Sequence, residues 1–91
     1  MVKVGADWCL TCKYNEALVF DVEHVKSEIE KAGVEVVDVD WTNYQPEVLD
    51  FMKKFNRIGV PFYVLYSKRY PSGLILPEMM SAYDLTDILR K

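Results

Sequence analysis

Apolar and polar positions divide this chain into short, differently spaced segments. Val2 to Ala6 reads as a short buried strand interrupted by Lys3. From Cys9 to about Leu18 the spacing is helical, with Leu10, Tyr14, Ala17 and Leu18 on one side. Asp21 fits an N-cap that restarts a helix through Val22, Val25 and Ile29, ending at Gly33. Val34 to Val39 is β-branched and apolar, a second strand. Pro46 suits a first helical position, and Val48, Phe51, Met52 and Phe55 form the i, i+3, i+4, i+7 stripe of an amphipathic helix. Gly59-Val60-Pro61 breaks the chain before a third strand, Phe62 to Tyr66. Pro71-Ser72-Gly73 is a turn signal, after which Leu74 to Leu76 can pair back as a fourth strand. Ser81 with Asp84 resembles a capping box, opening a last helix through Leu85, Ile88 and Leu89.

The order βαβ, α, ββ, α predicts an α/β fold: a four-stranded mixed sheet with helices on both faces. The first two strands should be parallel through a right-handed crossover, and the last two an antiparallel hairpin. At 91 residues, 1–91 is expected to form one domain with a single modest core. A first strand that belongs in the middle of the sheet starts almost at residue 1, where chains fray. That placement predicts native sequence, with another strand, upstream of Met1.

Composition narrows the function classes. With 51% hydrophobic residues and a net charge of −3, the chain has the profile of a globular domain. Basic residues are scattered apart from Lys53-Lys54 and Lys68-Arg69, which read as solvated surface rather than a nucleic-acid patch. No apolar stretch reaches the length of a membrane span, and no signal-peptide pattern opens the chain.

The chemistry lies in Trp8-Cys9-Leu10-Thr11-Cys12, placed between a strand and a helix. Cys-x-x-Cys in a βαβ context is a redox signal. Unpaired N–H groups and the dipole at a helix start stabilise a thiolate, and two intervening residues bring both sulfurs within one turn. Cys9 can then attack a partner's disulfide, and Cys12 can resolve the mixed disulfide. As a structural staple the pair would close too short a loop to constrain much chain. A zinc site would need about two more ligands, and the single histidine, His24, lies mid-helix and far away in sequence. No dissociable cofactor is expected, because the Cys9–Cys12 pair itself carries the two electrons.

With Trp8-Cys9-x-x-Cys12 after a strand and Gly59-Val60-Pro61 before another, the chain resembles the thioredoxin superfamily over essentially its whole length. Ala6-Asp7-Trp8-Cys9-Leu10-Thr11-Cys12-Lys13, then Asn15-Glu16 and Asp40-Trp41-Thr42-Asn43, resemble the C-terminal domain of the DsbD/ScsB group, the membrane thiol:disulfide interchange proteins of bacteria. The resemblance implies a periplasm-facing domain of an inner-membrane protein. It would take electrons from a membrane-embedded cysteine pair and hand them to other thiol proteins, and would itself be monomeric. It further implies that Trp8 offers a flat apolar contact to a partner, although Trp8 can equally be a packing residue. Pro61 matches the family's cis-proline, whose use exposes the Val60 backbone to a partner's extended chain; an ordinary trans-proline opening a strand is the alternative. Glu16, one turn beyond Cys12, corresponds to an acid near the active site that tunes thiol protons, and a solvated helix glutamate accounts for it nearly as well.

One departure stands out. Many relatives carry an acid six residues before the first cysteine, where this chain has Lys3. A charged lysine is no proton acceptor, so it must either snorkel to the edge or pair with Glu16. Leu10 and Thr11 carry no charge, and the absence of histidine between the cysteines predicts a reducing or intermediate potential. The expected function is a protein-disulfide reductase. A disulfide isomerase or oxidase is the rival enzyme, and a thioredoxin-like binding module with inert cysteines the rival from another class.

Overall fold

The computed structural model describes residues 1–90. In chain order the elements are β1 (Val2–Gly5), α1 (Leu10–Asn15), a π-helical turn (Glu16–Phe20), α2 (Glu23–Lys31), β2 (Val37–Asp40), α3 (Pro46–Lys53), β3 (Phe62–Leu65), β4 (Leu74–Ile75) and α4 (Ala82–Arg90). The sheet runs β2-β1-β3-β4. β1 pairs parallel with β2 and antiparallel with β3, and β3 pairs antiparallel with β4. This is the expected four-stranded mixed sheet.

Strand periodicity sorts the core onto two faces. Val4, Phe62 and Val64 meet Met52 of α3 on one side. Tyr63 and Leu65 meet Val19, Phe20, Val25 and Leu85 on the other. Phe51, Phe55 and Phe62 form an edge-packed triad, with ring centroids 5.5 to 6.0 Å apart, that pins α3 to β3. α4 is opened by a reciprocal capping box, since Asp84 N–H donates to Ser81 Oγ and Ser81 N–H to Asp84 Oδ2, both at 3.0 Å. At its other end Arg90 donates to Glu28 of α2 at 3.0 Å. Pro46 occupies the first turn of α3, as its fixed φ favours.

Two local expectations change. Asp21 is no N-cap: it closes the π-helical turn, its N–H bonded to Glu16 C=O at 2.8 Å, and α2 starts from Val22 without a side-chain cap. An i→i+5 closure of this kind is a feature that spacing rules for α-helices pass over. β2 starts at Val37 rather than Val34, because Val34 turns in to pack against the core as the chain leaves α2. The apolar side of the stretch from Leu10 to Leu18 faces outward. Leu10, Tyr14, Ala17 and Leu18 lie on the solvent side, with Leu10 80% exposed, while Cys12 and Asn15 are buried.

Candidate active site

β1 ends at Gly5, and the short link Ala6 to Trp8 delivers Cys9 to the start of α1. Cys9 is the N-cap of that helix, in extended conformation, and its Sγ accepts the Cys12 N–H at 3.1 Å. The two cysteines are bonded as a disulfide with a Cα–Cα distance of 5.3 Å, and both are buried. Of the two sulfurs, Cys9 Sγ is the one that accepts a first-turn N–H. That asymmetry stabilises charge on Cys9 once the disulfide opens. Beneath Cys12 the missing side chain of Gly5 leaves room: a Cβ there would stand 3.5 Å from the Cys12 sulfur.

Sequence motifs far apart are joined here. Trp8 is 61% exposed, yet its indole N–H donates to the Thr42 carbonyl at 3.3 Å. The neighbouring Asp7 N–H donates to Thr42 Oγ1 at 2.9 Å. Thr42 is itself held by Asp40, whose Oδ1 accepts its N–H at 2.9 Å and also its hydroxyl. Asp-Trp-Thr is therefore the clasp that positions Asp7-Trp8 before the disulfide. These donors hold the Asp40 carboxyl below its ordinary value.

A lowered carboxylate contributes stability that is present above the unfolded pKa and is lost as pH falls through the folded one. The Trp8 indole proton should therefore keep its bonded NMR position from neutral pH down to about 4 and move only below that. Asp40→Ala should shift it already at neutral pH. Movement that begins above about pH 5 would contradict the clasp.

An open cleft of about 460 Å³ runs alongside Cys12 and contains Lys3, Glu16, Asp38 and Tyr63 in its wall. Lys3 is 7% exposed. Its ammonium lies 2.6 Å from Glu16 and 3.1 Å from Asp38, and 4.1 Å from the Phe20 ring centroid. Of the two fates open to Lys3, pairing is the one observed. Sheet register explains it, because Lys3 stands opposite Asp38 on β2 and Tyr63 on β3, so all three share the α1 face. Asp38 was absent from the sequence candidates. The alternation Val37-Asp38-Val39-Asp40 was its only local signal, and it becomes informative once the register is known.

Tyr63 is buried, and burial is the main cause raising its phenol above the ordinary value. It accepts a hydrogen bond from Asn15 Nδ2 at 3.0 Å, and the same amide donates to the Glu78 carbonyl at 2.7 Å. Asn15 thus anchors α1 to the sheet and to the loop before α4. The Val60–Pro61 bond is cis. Phe62 pairs with Val4, so this bond lies at the same end of β1 as Gly5. His24 is on the surface of α2. Among the described residues no group of three or more His, Cys, Asp or Glu is placed to hold a metal ion.

The fold and site define a small α/β domain with a disulfide formed at a helix start, beside a solvent-reaching cleft. It belongs to the thioredoxin-like family, whose profile matches residues 1–68. Within that family it is 32% identical over 68 residues to the thiol:disulfide interchange protein DsbD of Actinobacillus pleuropneumoniae, covering 75% of this chain and 11% of that protein. To the DsbD of Vibrio cholerae it is 31% identical over 61 residues, 67% of this chain and 10% of that protein. It spans about a tenth of the length of these relatives. The oxidised C-terminal domain of Neisseria meningitidis DsbD superposes with a TM-score of 0.81 at 20% identity, covering 98% of this chain and 75% of that one. Its reduced form gives 0.77. At that identity the likeness speaks for the fold.

Proposed function

We propose that this chain is a protein-disulfide reductase that passes two electrons from its Cys9/Cys12 dithiol to a disulfide on another thiol protein. The observation that carries the reading is the Cys9 sulfur capping the helix beside a Cys12 that borders an open cleft. Cys9 thiolate attacks the partner's disulfide, forming a mixed disulfide and releasing one partner thiolate. Cys12, after losing its proton, attacks Cys9 Sγ, forming the intramolecular disulfide and releasing the second partner thiolate. Trp8 and the Val60-Pro61 edge dock the partner's chain, and Glu16, which lines the cleft with Cys12, handles protons. Exposed Leu10 extends the apolar contact around Trp8.

The family resemblance supports a larger setting. In it the chain is one domain of a longer inner-membrane protein, faces the periplasm, and is recharged by a membrane-embedded cysteine pair. No helix among the described residues is long and apolar enough to cross a membrane.

Incubating the pre-reduced chain with a peptide disulfide tests the chemistry. One Cys9–Cys12 disulfide should form for each pair of peptide thiols released, as read by mass spectrometry. No exchange, or a reduction potential near the about −120 mV of the strong oxidant DsbA, would overturn the reductant reading.

A further inference from the structure

A buried lysine lining a dithiol site is uncommon in a small domain, since an ammonium group taken out of water must be compensated. Lys3 has Glu16 on one side, Asp38 on the other and the face of Phe20 above. Its partners are far more exposed than it is, with side chains 45% and 73% accessible against 8%. A purely structural cation gains little from carboxylates so open to water. The buried end of this network, however, borders the same cleft as the Cys12 sulfur.

The charge around that cleft is lopsided. β1 contributes Lys3, the link after it Asp7, and β2 contributes Asp38 and Asp40. From α1 and the turn after it come Lys13, Glu16 and Asp21, and β3 adds the Tyr63 phenol. Five carboxylates thus stand against two ammonium groups. Of these two, Lys13 is exposed and Lys3 buried. A thiolate forming on Cys12 would enter an acidic surrounding in which a neighbouring anion opposes ionisation and a neighbouring cation favours it.

We infer that Lys3 is a positioning residue for the resolving step: it holds the Glu16 carboxylate in the cleft and offsets the acidic wall so that Cys12 can ionise. The inference deepens the reductase reading and rests on it. In the step it serves, the proton of Cys12 leaves into the cleft. The Cys12 thiolate then attacks Cys9 Sγ, the bond between Cys9 and the partner breaks, and the partner departs as a thiolate.

The test is the pH dependence of Cys12 alkylation in the reduced chain, located by fragment-ion mass spectrometry, alongside the rate of mixed-disulfide resolution. Lys3→Met should raise the Cys12 midpoint by about one pH unit and slow resolution at neutral pH. Lys3→Arg, which keeps the charge, should stay near the parent. Glu16→Gln should lower the midpoint, and Lys3→Met combined with Glu16→Gln should fall between the two single variants. A lysine with a structural role alone would change thermal stability and leave the Lys3→Met midpoint at the parent's, and that result overturns the inference. Where circular dichroism shows Lys3→Met unfolded, Lys3→Gln takes its place, and an unmoved midpoint in that folded variant overturns the inference equally. The parent chain's exchange with the peptide disulfide separates the two readings. Exchange with unmoved midpoints rejects only the role of Lys3, whereas a parent that fails to exchange rejects the reductase and this inference with it.

Discussion

Cys9→Ser is expected to bring disulfide reduction down to the uncatalysed background, a loss of at least roughly a thousandfold, while Cys12→Ser stalls after one attack. Both replacements swap sulfur for oxygen at buried positions of one short helix, so a difference between them reports chemistry rather than folding. The asymmetry follows from the N-cap. The Cys12 N–H is directed at Cys9 Sγ at 3.1 Å, so the group that stabilises a thiolate serves Cys9 and leaves Cys12 without an equivalent donor from that turn. Serine at position 9 can still cap the helix, so the fold should survive while the nucleophile is lost. With serine at position 12, Cys9 still attacks and nothing expels the partner, so a mixed disulfide accumulates in equal amount to the protein. Mass spectrometry of the two variants with a peptide disulfide reads this directly. Accumulation on Cys9→Ser instead would reverse the assignment of the two sulfurs.

Met52→Ala should cost roughly 2–5 kcal/mol of folding stability. Met52 has no accessible surface and sits where Val4 of β1, Phe62 and Val64 of β3 and the phenylalanine triad converge. Removing its side chain leaves a cavity that rigid strands on one side and ring edges on the other cannot readily fill. Against a total of about 5–15 kcal/mol for a domain, that is a large share. Urea denaturation should show a lower midpoint with an unchanged slope. Leu10→Ala is the control: Leu10 is apolar but faces water, and its loss should change stability by no more than about 0.5 kcal/mol. Equal costs for the two would contradict the burial of Met52 and the exposure of Leu10.

The contrast between Met52 and Leu10 also marks the limit of spacing rules. Both belong to stripes with helical periodicity. Around Met52 the stripe is a buried face, whereas around Leu10 it is an exposed one. Periodicity establishes that residues share a side of a helix, and only packing establishes which side meets the sheet. In α1 the cysteine pair and Asn15 take the inward side, because Asn15 bonds Tyr63 and the Glu78 carbonyl there. Leu10, Tyr14 and Leu18 are left outward.

Much of this protein is written locally. Cys-x-x-Cys at a strand–helix junction, Pro46 at a helix start, the Ser81/Asp84 capping box and the glycine and proline breaks each act within a few residues. Such short-range chemistry is why the order of elements and the dithiol were legible without coordinates. The functional setting of the dithiol was not. Thr42 meets Asp7 and Trp8 across 35 and 34 positions of chain, and Lys3 finds Asp38 only through the register of a parallel pair. By itself the sequence determined a Cys9–Cys12 redox pair on a mixed sheet. The tertiary structure alone decided what surrounds that pair: Lys3 turned inward and doubly paired, Trp8 clasped to Thr42, and an apolar helix face left to solvent. Backbone preferences act over a turn or two, whereas the charge and contacts felt by a sulfur come from whichever strands the sheet brings beside it.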